Sequence, residues 1–337
     1  MSQAPSNEVP QMSQAPSNIE YACMSASARM LPHAGLLRAS LAACGALDGA
    51  RMRIMVPERT QMDKCATHDA ALYAVGMTVQ DEGETADSDV CRFPFSDPAD
   101  WPRFPFLDKV HAAAAAERLA ADADADVLVW LDADSLFFRA PERTLLGPGQ
   151  WFAGRPVDKC LIASRADGPP DPFWRAMYDH FELHDTSIPI FEPSTEPVPI
   201  RAYWNAGFLA VRPQAGLLQG WQDALDLLIG RDPFRSFCLT SPHHAIFLHQ
   251  AVLAGTILQR TSASQRKLLD ARYAQPLHLC EAAPYPIPGT DTVSCRYDTW
   301  FERSPCDVGL LPPHIVALLP DKLDLLALPW QYSTSPL

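Results

Sequence analysis

The feature that most constrains this chain is the run Val127-Leu128-Val129-Trp130-Leu131, wholly apolar and followed at once by Asp132-Ala133-Asp134. Its length, its β-branched content and its lack of alternation predict a strand covered on both faces, as in a parallel sheet sandwiched between helices. Two carboxylates then emerge at the carboxyl end of that strand, where open α/β sheets bind their ligands. If the extended geometry persists past Leu131, residues two apart share a side and both carboxylates aim into the same space. At ~4 Å and an effective dielectric near 20 their repulsion is on the order of 4 kcal/mol. Such a pair calls for a shared proton or a hard cation, with Mg2+ or Mn2+ the natural occupant of an oxygen-lined site. A second acidic stretch, Asp122-Ala123-Asp124-Ala125-Asp126, precedes the strand. A solvated loop is expected there.

The flanking pattern alternates strands and helices. Tyr21-Ala22-Cys23-Met24, the helical spacing of Ala34, Leu36, Leu37, Leu41 and Ala42, a stop near Gly45 and the strand-like segment 52–56 make a β-α-β unit. A helix over 65–75 and a short strand over 77–79 follow, then an Ala-rich helix over 107–121. Beyond the acidic motif the pattern predicts a helix over 172–183, a long Pro-rich loop over 184–201 and a turn and strand over 205–211. Helices over 217–229 and 244–254, an apolar segment over 276–279 and a helix over 314–326 broken at Pro320 complete the reading. The fold class is therefore α/β, a Rossmann-like, mainly parallel sheet flanked by helices. A single large domain is expected over 19–285, with 286–337 as an extension packed on it. Residues 1–18 contain the direct repeat MSQAPSN and too little apolar material to bury, so a disordered tail is expected.

With 47% hydrophobic and 20% charged residues among 337, the chain is a globular protein rather than a disordered one. Lys and Arg number 27 against 40 Asp and Glu, a net charge of −13, with no dense basic run, so nucleic acid is not an expected partner. The nine cysteines are scattered and never spaced CxxC, so neither a zinc ribbon nor a disulfide framework is expected, and a reducing cytoplasm fits best. No segment reaches the ~20 apolar residues that span a bilayer, and the polar start lacks the regions of a secretion signal. An integral membrane segment is not expected.

Three segments in order, Lys109 to Glu117, VLVWLDADSLFF and YWNAGFLAVRP, resemble the GT-A class of glycosyltransferases, and most of all the family-8-type nucleotide-sugar transferases. The likeness covers roughly residues 19–279. It implies a nucleotide-sugar donor, a UDP-sugar by analogy, an unknown acceptor, and Mn2+ or Mg2+. Asp132 is then expected near the donor's ribose and the metal, with Ala133 beside it, and Asp134 on the cation bridging the diphosphate. Lys109 is expected to contact phosphate or nucleotide, with a solvated helix-face lysine as the alternative. Asn205, Ala206 and Gly207 match the family's NAG segment, where Asn meets sugar hydroxyls and Gly lets the substrate approach the backbone.

Two departures from the family pattern stand out. His249-Gln250 occupies the place of an Asp-Gln pair, so an imidazole replaces an acidic contact to sugar or acceptor beside Gln250. His278 lies where a third metal ligand is often found, yet Cys280-Glu281 follows in place of a Gly-rich, Lys-bearing continuation. Two other readings are open. A phosphohydrolase of the haloacid dehalogenase type shares the strand-Asp-x-Asp motif, but needs a later Lys and acidic pair that are not evident here. A non-catalytic nucleotide-sugar-binding protein of the same fold is suggested by His249.

Overall fold

The computed structural model describes residues 18–26, 30–59, 90–95, 104–196, 198–279, 289–298, 300–302 and 308–319. The helix expected over 65–75, the strand over 77–79, nearly all of the 1–18 tail and the chain from Pro320 onward lie outside them. The strands are β1 (Ile19–Met24), β2 (Arg51–Arg59), β3 (Val90–Phe95), β4 (Val127–Leu131), β5 (Ser135–Phe137), β6 (Phe152–Pro156), β7 (Ile190–Phe191), β8 (Ile200–Arg201), β9 (Trp204–Val211), β10 (Arg266–Leu268), β11 (Gln275–Pro276) and β12 (Ser294–Arg296). The helices are α1 (Leu31–Ala43), α2 (Leu107–Asp122), α3 (Pro172–His180), α4 (Leu217–Ile229), α5 (Phe234–Thr240), α6 (Pro242–Arg260) and α7 (Pro313–Val316).

Seven strands form the central sheet in the order β10-β6-β9-β4-β1-β2-β3. Only β9 runs against its neighbours β4 and β6, and the remaining pairings are parallel. This mixed α/β architecture is consistent with a Rossmann-like GT-A fold. The unbroken apolar run of β4 has its explanation in the two cores that sandwich it. Leu128 and Trp130 enter one, with buried residues of α2, α4 and α6, while Val127, Val129 and Leu131 enter the other, with α1. Both faces are covered, so neither series of side chains is polar.

The alanines of α2 are equally informative. Ala112 to Ala116 are all buried, and their small side chains let the helix lie close between sheet and neighbours. Glu117 of the same helix is buried too, and it accepts from the backbone N–H groups of Leu218 (3.1 Å) and Gln219 (2.8 Å). These are orphan donors of the first turn of α4, which Gly216 opens at φ +61° with no side-chain cap of its own.

Elements that the sequence pattern missed have physical reasons for being missed. β6 (Phe-Ala-Gly-Arg-Pro) and β3 (Val-Cys-Arg-Phe-Pro-Phe) contain Gly or Pro, and among the described strands β3 and β10 are the outermost of the sheet, where Pro and charge are tolerated. α5 was not expected either. The loop expected over 184–201 contains the small β7–β8 hairpin, and the predicted 244–254 helix extends over Pro242–Arg260. α3 ends at His180, three residues short of expectation, and α7 is a single turn.

A third core collects Leu136 and Phe138, just after the acidic motif, with Tyr297, Trp300, Phe301, Leu311 and Ile315. Here β5 pairs antiparallel with β12, Ser135 opposite Arg296, so the chain after 290 is stitched directly against the acidic turn. Among the described residues no helix is long and apolar enough to cross a membrane. None of the six described cysteines is in a disulfide.

Candidate functional site

Asp132 prolongs the β4–β9 ladder by one step, its N–H donating to Gly207 O at 2.9 Å. The extended geometry expected to continue through Asp134 stops there. Ser135 N–H returns to Asp132 O at 3.2 Å, so Ala133 and Asp134 form a turn. The reason is topological, since the chain must leave the central sheet to enter β5 in a different one. The turn carries Asp134 inward. Its Oδ1 is buried with no hydrogen-bond partner among the described residues, and its carbonyl accepts from Tyr297 N–H at 2.9 Å. Burial first, and then the charge of Asp132, push the Asp134 carboxyl up to about 7, against the pull of Arg296 and Lys109. The two carboxylates do share one field, through a turn rather than a strand.

Lys109 lies in the first turn of α2 and is buried rather than solvated. Its Nζ sits 2.5 Å from Asp132 Oδ1 and 5.5 Å from the centroid of the Phe106 ring. Asn205 Oδ1 accepts from Gly207 N–H at 2.7 Å, and Gln250 Oε1 accepts from Ala206 N–H at 3.3 Å, so α6 holds the Asn205–Gly207 segment of β9 against Asp132. His249 is packed behind this group. Its ring lies 4.4 Å from that of Phe106, its Nδ1 is 2.8 Å from Ile246 O, and its carbonyl accepts from Trp221 Nε1 at 2.6 Å. Burial, and then the charge on Lys109, hold the imidazole well below its ordinary pKa, so Nδ1–H donates to the Ile246 carbonyl and the ring is neutral. His278 faces Asp298, Nε2 to Oδ2 3.8 Å, and Asp298 in turn acts electrostatically on Asp134.

Asp158, Arg296 and Asp298 were not singled out from the sequence. Arg296 and Asp298 act electrostatically on Asp134, and Arg296 Nη2 lies 3.4 Å from Asp158 Oδ2. No local motif marks them. The β5–β12 pairing, across some 160 residues, brings Arg296 and Asp298 here, and Asp158 meets Arg296 from just past the end of β6.

Among the described residues no group of three or more His, Cys, Asp or Glu is arranged to hold a metal ion by itself. The residues present fit a cation of another kind of site. The orphaned Asp134 oxygen and the Asp132 carboxylate would supply part of an oxygen shell, and Mg2+-like ions complete theirs with substrate phosphates and water. The decoy stretch behaves differently: Asp126 accepts from Asn18 N–H at 2.9 Å at the amino end of β4, and Asp124 sits at φ +51° in an exposed turn.

Sheet topology makes the chain an α/β protein with a buried acidic turn at the end of β4, and the comparison with protein families makes it a glycosyltransferase. The chain belongs to the Rhodobacterales glycosyltransferase domain family, whose model matches residues 21–259, from β1 almost to the end of α6. No curated protein matches it. His278, Arg296 and Asp298 lie beyond the matched range.

Proposed function

We propose that this glycosyltransferase moves a hexosyl group from a nucleotide-diphosphate donor, a UDP-sugar by its likeness to family-8-type GT-A enzymes, to an acceptor nucleophile. Mn2+ or Mg2+ is held at Asp132 and Asp134. The observation that carries the reading is the buried Asp134 Oδ1 without a hydrogen-bond partner among the described residues, one turn from Asp132. A buried carboxylate oxygen left unsatisfied is costly, and a hard cation is the ligand that offsets the cost. When bound, the cation would neutralise charge on the departing nucleoside diphosphate.

The other residues have separable tasks. Lys109 orients Asp132 and adds a fixed positive charge where phosphates would lie. Asn205 and Gly207 border the sugar, Gly207 by leaving room and Asn205 by its amide, while Gln250 steadies that segment from α6. His249 acts from behind, keeping Phe106 and Lys109 in place. His278 pairs with Asp298, whose charge acts on Asp134. The reading includes a cytoplasmic setting, in keeping with cysteines outside disulfides, and no nucleic-acid partner, in keeping with the net charge of −13.

The test is release of nucleoside diphosphate from a panel of nucleotide sugars with and without Mn2+. Asp134→Ala is expected to lose on the order of 100-fold in rate, about 2.7 kcal/mol of transition-state stabilisation. An unchanged rate with unchanged Mn2+ dependence would refute the assignment. Phosphate release from small phosphoesters would favour a phosphohydrolase instead, and donor binding without turnover a binding protein.

A further inference from the structure

Arg296 ends β12, in the segment that the pairing with β5 brings against the acidic turn. Its side chain is only 15% exposed, and its charge acts on four carboxylates, Asp158, Asp134, Asp132 and Asp298. Its hydrogen bonding is sparse by comparison. Nη2 meets Asp158 Oδ2 at a long 3.4 Å, and Nε is buried with no partner among the described residues. Asp158 does not depend on that contact, for Arg155 Nη2 lies 2.7 Å and Ser194 Oγ 2.8 Å from its Oδ1. A guanidinium serving only to neutralise Asp158 would turn its fork squarely on it. This one is held at a corner, with a buried N–H pointing elsewhere. Leaving such a donor unmatched is costly, and a pair of phosphate oxygens is an acceptor that matches the planar guanidinium edge.

We propose that Arg296 is a second binding group for the donor's diphosphate, beside Lys109, gripping phosphate oxygens through its Nε edge. The inference rests on the donor reading given above. It makes Arg296 a neighbour of the cation site as well, and that yields two effects of opposite sign. Removing the guanidinium deletes a phosphate contact, so the nucleoside diphosphate binds less well. It also deletes a positive charge beside Asp134 and Asp132, so a bare divalent cation binds at least as well as before. A purely structural arginine would weaken both when removed.

The experiment is calorimetric titration of the full chain with UDP, GDP and CDP, each in Mn2+ and in EDTA, and with Mn2+ alone. Arg296→Met is expected to bind the preferred diphosphate on the order of 10-fold more weakly or worse, in both conditions. Its affinity for Mn2+ alone should be unchanged or tighter. Arg296→Lys keeps the charge without the fork and is expected to fall between, and it carries the test if the methionine variant does not fold. Diphosphate affinity equal to wild type in the folded variant, or Mn2+ affinity falling in parallel with it, overturns the role of Arg296 and leaves the donor reading standing. Wild-type protein that binds none of the three diphosphates overturns the donor reading and this inference together.

Discussion

A Cβ built on Gly207 would stand 2.5 Å from Asp132 Oδ2 and 2.9 Å from Asn205 Oδ1, so any side chain there must push one of two site residues aside. Asp132 is the one that can yield, because its side chain is 21% exposed while the backbone around it is locked in the β4–β9 ladder. Gly207→Ala is therefore expected to fold with a near wild-type melting temperature and to lose on the order of 10-fold or more in kcat/KM, as misplaced catalytic groups do. Full activity in a folded Gly207→Ala protein would show that the carboxylate's position is immaterial. Asp132, Lys109 and the Asn205–Gly207 segment, which lies within β9 rather than in the turn expected before it, are the part of the site that local pattern could reach, since each sits in a recognisable stretch. Arg296 and Asp298 sit in Cys-Arg-Tyr-Asp, a string with no signature until it is paired with β5.

Elements depend on one another in ways a window of sequence does not contain. α4 begins without a side-chain cap, and its first amides are satisfied from α2 by Glu117, some hundred residues earlier. Burial pushes the Glu117 carboxyl up to about 7, against the backbone hydrogen bonds that pull it down. Glu117→Ala would leave buried donors unmatched and is expected to cost about 2–3 kcal/mol in urea unfolding. Glu117→Gln keeps an acceptor oxygen and should cost less. An alanine variant with the wild-type midpoint would mean that water reaches those amides. The same contrast runs through strand prediction. β4 was legible because burial on both faces leaves an unmistakable apolar run, whereas β6 was not, because its Gly154 and Pro156 suit a local irregularity against β9.

At the scale of the whole molecule the candidate site is assembled from β4, β9, α2, α6 and the chain around β12, so a ligand that touches several of them ties distant parts of the chain together. A nucleotide sugar with Mn2+ at 100 times its dissociation constant is expected to stabilise the fold by ~2.7 kcal/mol, read as a rise in melting temperature. Asp134→Ala should lose the Mn2+-dependent share of that rise. A wild-type protein that no donor stabilises would count against the whole donor reading. The α/β class, the central strand and the two aspartates at its end follow from hydrophobic pattern and spacing, which are local and survive in a one-dimensional string. The turn that carries Asp134 inward, the burial of Lys109, the trans cap from Glu117 and the arrival of Arg296 beside the carboxylates do not. They depend on contacts between residues tens to more than a hundred positions apart, whose energies exist only once the sheet has brought them within a few ångströms.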